Sequence, residues 1–213
     1  MTWLAVQLRP RRVSVWPERP AAARGAGAMN GRFRRPYLGR RGTAAVELAL
    51  ISPMLLILFA GVIDFGRVYH DEIELSSAVA AAAQYALLNA ASINSVGAAS
   101  LAGTISGIVA NGNGPGWASA SVTVNAGPTS VVAGGVTTPG GTASNANSCW
   151  CPTGDAAAWS WGTAATCGTA CAGGTLAGRF VTIAGTRSFG AIFGDYGLIS
   201  NTTLHQSTIV QAQ

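Results

Sequence analysis

Charge is what this chain has least of: 10% of its 213 residues are charged, against about 25% in an ordinary soluble domain. Histidine is scarcer still, with two residues, so nitrogen ligands for a metal are few. The usual catalytic signatures are missing: no Gly-rich loop ending in Lys-Ser/Thr, no G-x-S-x-G, no H-E-x-x-H. Each would be needed to cradle a phosphate, expose a nucleophilic serine or hold a zinc ion. Outside the long helical region, residues 43–91, and the basic stretch before it, the acids are Asp155 and Asp195, too far apart in sequence to suggest a general acid and base. The expectation is a non-enzyme, without catalytic residues, cofactor or metal. Bulky side chains are also in short supply. Glycine (28 residues), alanine, serine and threonine dominate, and such small groups bury little area each, so the core is thin and the loops are long.

What is present is distributed unevenly. Of the 13 basic residues, ten are arginines at or before Arg41, and only Arg67, Arg179 and Arg187 follow. The basic stretch has few interleaved aromatics and no binding motif after it, which argues against nucleic acid as partner. It stops at Arg40-Arg41-Gly42, and residues 43–63 then form an apolar run long enough to cross a bilayer. By the positive-inside rule Arg40 and Arg41 hold the amino terminus in the cytoplasm and send the remainder out. A cleaved secretory signal fits poorly, because Glu47 interrupts the run and Leu58-Phe59-Ala60-Gly61 is a weak processing site. Glu47 is the anomaly. A charge at the centre of a membrane helix is unfavourable by roughly 2.5–3.5 kcal/mol and normally has a partner. Pro53 falls mid-span and predicts a kink without ending the helix.

The expected organisation follows. Residues 1–42 read as a basic cytoplasmic leader, of which 1–28 either belong to it or precede the true start at Met29. Residues 43–63 read as the transmembrane helix. Residues 64–91 continue it outside, with Ile73, Val79, Ala83 and Leu87 on one apolar face; Phe65 and Tyr69 suit the headgroup belt. Residues 92–213 read as a small α+β domain. Within it, Asn94–Val109 predicts a second helix, Asn111–Gly116 a turn, and Trp117–Asn125, Arg179–Ser188 and Asn201–Gln211 strands of a small antiparallel sheet laid on the long helix. Residues 126–178 carry little periodicity and read as a Gly/Thr-rich loop.

Four cysteines lie in that loop, as Cys149-Trp-Cys151 and Cys167-x-x-x-Cys171. Zinc sites prefer C-x₂₋₄-C spacing at both ends, and the first pair is too close. An extracytoplasmic position and an even count favour disulfides. Bridges from the first pair to the second would staple the loop, contributing about 3 kcal/mol each; the spacing alone does not fix which cysteine pairs with which. Trp150, Trp159 and Trp161 sit nearby, either packed over the bridges or forming a contact patch.

The run Arg41-Gly42-Thr43-Ala44-Ala45-Val46-Glu47-Leu48-Ala49-Leu50, with Pro53 and the exit Gly61-Val62-Ile63-Asp64-Phe65-Gly66-Arg67, resembles the TadE-like family of tight-adherence pilus proteins. The strong likeness covers about fifty residues. It implies a pseudopilin cut by a prepilin peptidase between Gly42 and Thr43, leaving Glu47 as fifth residue to neutralise the terminal amine of a neighbouring subunit. Leu48 stands where the system's major pilin has an aromatic, which argues for a minor component. The implied partners are the peptidase, other pilin-like subunits, the assembly platform in the bacterial inner membrane, and lipid. No D-x-S-x-S motif is present, so the metal-binding adhesion domain of related TadG-like proteins is not implied. The alternative is an uncleaved bitopic anchor presenting a small binding domain.

Overall fold

The structure, a computed structural model, describes residues 43–154, 158–193 and 202–212. The leader, including Arg40, Arg41 and Gly42, and the two lone acids Asp155 and Asp195 lie outside the described residues.

Helix α1 (Thr43–Leu88) runs 46 residues without interruption, through Pro53. Its length reflects composition: alanine and leucine are its two commonest residues, and both favour helix. Asn89 stops it, its backbone N–H and its Nδ2 both donating to the Tyr85 carbonyl at 3.1 and 2.9 Å. A single 3₁₀ turn, Ala90–Ser92, follows. Helix α2 (Ala98–Ala110) begins four residues later than the sequence suggests. The reason is Asn94, whose Oδ1 accepts from the N–H groups of Val96 and Gly97, each at 2.9 Å, and so holds residues 94–97 in a turn.

Among the described residues seven strands follow: β1 (Ser119–Val124), β2 (Thr129–Ala133), β3 (Val136–Gly140), β4 (Cys149–Thr153), β5 (Ser160–Ala165), β6 (Phe180–Phe189) and β7 (Thr202–Gln211). Five form an antiparallel sheet in the order β3-β2-β1-β6-β7, and β4 and β5 form a separate hairpin. The fold is α+β, with the long apolar helix, the small sheet and the stapled cysteine region that the sequence predicts. One correction concerns residues 126–178, which hold four strands and a short 3₁₀ segment, Ala143–Asn147, where periodicity predicts only loop. The buried positions of these four strands are Ser130, Val132 and Cys149, so no apolar alternation marks them.

The core lies between the sheet and two helices. From α1 come Leu75, Val79, Ala82 and Ala86, from α2 Leu101, Ile105 and Val109, and from the sheet Val122, Val124, Val181 and Ile183. Gly185 on β6 permits the close approach: a Cβ there would lie 3.0 Å from both Leu75 Cδ1 and Val109 Cγ1. One polar pair is enclosed, Ser106 of α2 and Ser130 of β2, hydroxyl to hydroxyl at 2.7 Å, so neither is an orphan.

Candidate functional site

Several of the candidate residues, Thr43, Glu47, Pro53 and Asp64, lie along α1. At its start, Thr43 and Glu47 are one turn apart and therefore on one face. Glu47 is exposed and makes no hydrogen bond or ion pair with a described residue. Around it Leu48, Leu50, Met54 and Leu58 are each at least 60% exposed. The most apolar 18-residue window of α1 has a mean hydropathy of 2.4 and is only 6% buried. A soluble core helix hides such a surface; this one leaves it bare, as a helix solvated by lipid does. Among the described residues it is the one helix long and apolar enough to cross a membrane.

The far end of the span is different. Asp64 is 3% exposed, and with Ala60 is the only buried residue of α1 before Leu75. Its Oδ1 accepts from the Ile192 N–H at 3.1 Å and its Oδ2 from the Phe193 N–H at 3.3 Å. Arg67 Nη1 stands 3.7 Å from Asp64, and its guanidinium lies 5.2 Å from the centre of the Phe189 ring. The sequence marks Asp64 only as the charge that ends the apolar run; its role in holding a segment 128 residues away has no local signal.

Two turns further, Asp71 Oδ2 accepts from Arg187 Nε at 3.0 Å. Arg187 also donates to the Trp117 carbonyl and stacks 4.6 Å over the Trp117 ring. One arginine on β6 thus joins α1 to the entry of β1.

The cysteines are paired Cys149–Cys167 and Cys151–Cys171, so both bridges run from the first pair to the second. No thiol is free, and no cluster of metal-ligating side chains exists among the described residues. The tryptophans pack edge to face: Trp159 on Trp161 at 4.5 Å, Trp161 on Trp150 at 6.4 Å, and Trp159 on Phe180 at 6.2 Å. Buried Asn125 ties this module to the sheet. It donates to the carbonyls of Ala146 and Ser148 at 2.9 and 2.6 Å and accepts from the Phe180 N–H at 3.3 Å. Arg179 adds bonds to the carbonyls of Ile93 and Asn147 at 2.9 and 3.2 Å. The bridges close loops of 18 and 20 residues, each contributing about 3 kcal/mol. Reduction is therefore expected to release amide protection in β4 and β5 while β1 and β6, held by their own core, keep theirs; hydrogen exchange with and without reductant checks this.

The architecture defines a class first: an α+β protein built on one membrane-length helix. The family model described as TadE-like protein matches residues 42–84, the span and most of its continuation, so this segment is TadE-like. The match contains Glu47, Pro53 and Asp64, and ends before the sheet. No curated protein and no solved structure matches the chain.

Proposed function

We propose that this protein is a minor pseudopilin that assists assembly of a tight-adherence pilus, acting by lateral helix packing in the inner membrane. The observation that supports this most directly is Glu47: an exposed carboxylate, without a partner among the described residues, near the start of an apolar helix whose sequence is TadE-like. A carboxylate so placed needs a cation at its own depth. A neighbouring subunit cut between Gly42 and Thr43 supplies one as its new terminal amine. In this reading Arg40 and Arg41 orient the chain with its leader in the cytoplasm, the peptidase recognises Gly42, and the sheet domain lies outside. The role is structural rather than catalytic.

The test is amino-terminal sequencing, with intact mass, of membrane-purified protein from cells with and without the prepilin peptidase. The expected terminus is Thr43 when the peptidase is present and an uncut leader when it is absent. A leader retained in both would overturn the pseudopilin reading and leave an uncleaved anchor.

A further inference from the structure

The stretch just after β6, residues 190–193, carries two large apolar side chains that the fold does not cover: Ile192 is 61% exposed and Phe193 42%. Their position explains the exposure. Phe193 lines one groove with Leu56, Ile57, Phe59, Ala60 and Ile63 of α1, all residues of the apolar span. Helical rise places Phe59 and Ala60 roughly 6–8 Å below Asp64 along the axis, on the hydrocarbon side of the exit. The sheet domain therefore sends a short apolar tip back down beside the helix.

Backbone in that position would ordinarily be penalised, since lipid offers no partner for an N–H group. Here the N–H groups of both Ile192 and Phe193 are taken by the two oxygens of Asp64. The same carboxylate is shielded from hydrocarbon by burial and faced by Arg67 at 3.7 Å.

We propose that residues 190–193 form a second membrane-contacting element, with Ile192 and Phe193 seated in the leaflet nearest the sheet domain and Asp64 satisfying the backbone that carries them there. The occupant of this apolar surface is lipid, because it is continuous with the bare surface of the span itself. The inference rests on α1 crossing the bilayer. It assigns Asp64 a positioning role: it sets the height and tilt of the domain over the membrane by fixing a second point of contact beside the helix.

The test uses the full chain in vesicles of phosphatidylethanolamine and phosphatidylglycerol, with an environment-sensitive fluorophore attached through Ile192→Cys. Leu58→Cys, within the span, and Val136→Cys, on exposed β3, serve as references. Shallow nitroxide lipids are expected to quench the label at positions 58 and 192 but not at 136, and aqueous iodide to do the reverse. Quenching at 58 with a water-exposed 192 would overturn the tip proposal alone. A water-exposed label at 58 would overturn the membrane reading and the tip with it. Combining Ile192→Cys with Asp64→Ala is expected to reduce lipid quenching at 192 about threefold, as the freed amides draw the tip toward water, and leave position 58 unchanged. Asp64→Asn, which keeps one acceptor oxygen, should fall between. Undiminished quenching in both variants would remove Asp64 from the role.

Discussion

Glu47→Ala protein is expected to insert and fold as the parent does and yet to fail in assembly. Insertion is helped by the change, because the residue removed is the single charge of the span and its loss makes transfer to lipid more favourable. The sheet domain is untouched, since its core draws on α1 from Leu75 onward. On the proposed pairing, the change removes a charge-assisted hydrogen bond to the neighbour's amine, about 1.5–3 kcal/mol, which is roughly a ten- to hundredfold weakening of the subunit contact. Glu47→Gln, which keeps the shape and one acceptor, should retain part of that contact, and Glu47→Ala none. The measurement is the amount of pilus sheared from cells, together with recovery of other pilin-like subunits alongside the tagged protein from detergent-solubilised membranes. Parental piliation in the alanine variant would refute the pairing mechanism while leaving the membrane span intact.

Arg187→Ala is expected to have the largest effect on stability. The arginine and Asp71 are 26% and 16% exposed, so the pair is largely but not wholly removed from water. Breaking a fully buried pair is worth 3–5 kcal/mol because the remaining charge is stranded; with partial solvation about 2–3 kcal/mol is expected. Loss of the Trp117 contacts is included in that figure. For a domain of this size the midpoint of thermal unfolding should fall by roughly 5–10 °C. Arg187→Lys should recover little, since a lysine cannot bond to Asp71, reach the Trp117 carbonyl and stack flat on the indole together. Asp71→Ala combined with Arg187→Ala should be milder than the sum of the two single changes. Strict additivity would mean that the two side chains act independently.

The parts of this molecule legible in the sequence are those where one physical signal acts alone. Helix α1 announces itself by composition and length, and β1, β6 and β7 by valine and isoleucine alternating with small polar groups, as at Val122 and Val124 or Val181 and Ile183. The other four strands carry no such signal. β3 has no buried residue, β2 turns a serine inward to meet Ser106, and the β4–β5 hairpin is held by disulfides and stacked indoles rather than by aliphatic packing. The site divides in the same way. Glu47 is conspicuous because a charge in an apolar run is anomalous whatever the fold. Asp64, Asp71 and Asn125 acquire their roles from partners 21 to 129 residues away, and nothing local distinguishes them from an ordinary interfacial acid or a turn asparagine.

Because α1 is one unbroken helix, the bare apolar residues of the span and the residues that pack into the sheet's core belong to a single rod. From Asp64 to Ala86 the rod extends roughly 33 Å without a loop or a glycine pair to absorb a twist. A quarter-turn of the span in the plane of the membrane would therefore carry the whole sheet through the same quarter-turn, swinging the stapled tryptophan hairpin around the helix axis. In the proposed assembly role the domain would work as a pointer fixed to its axle: the way neighbouring helices seat below would determine which face is presented above.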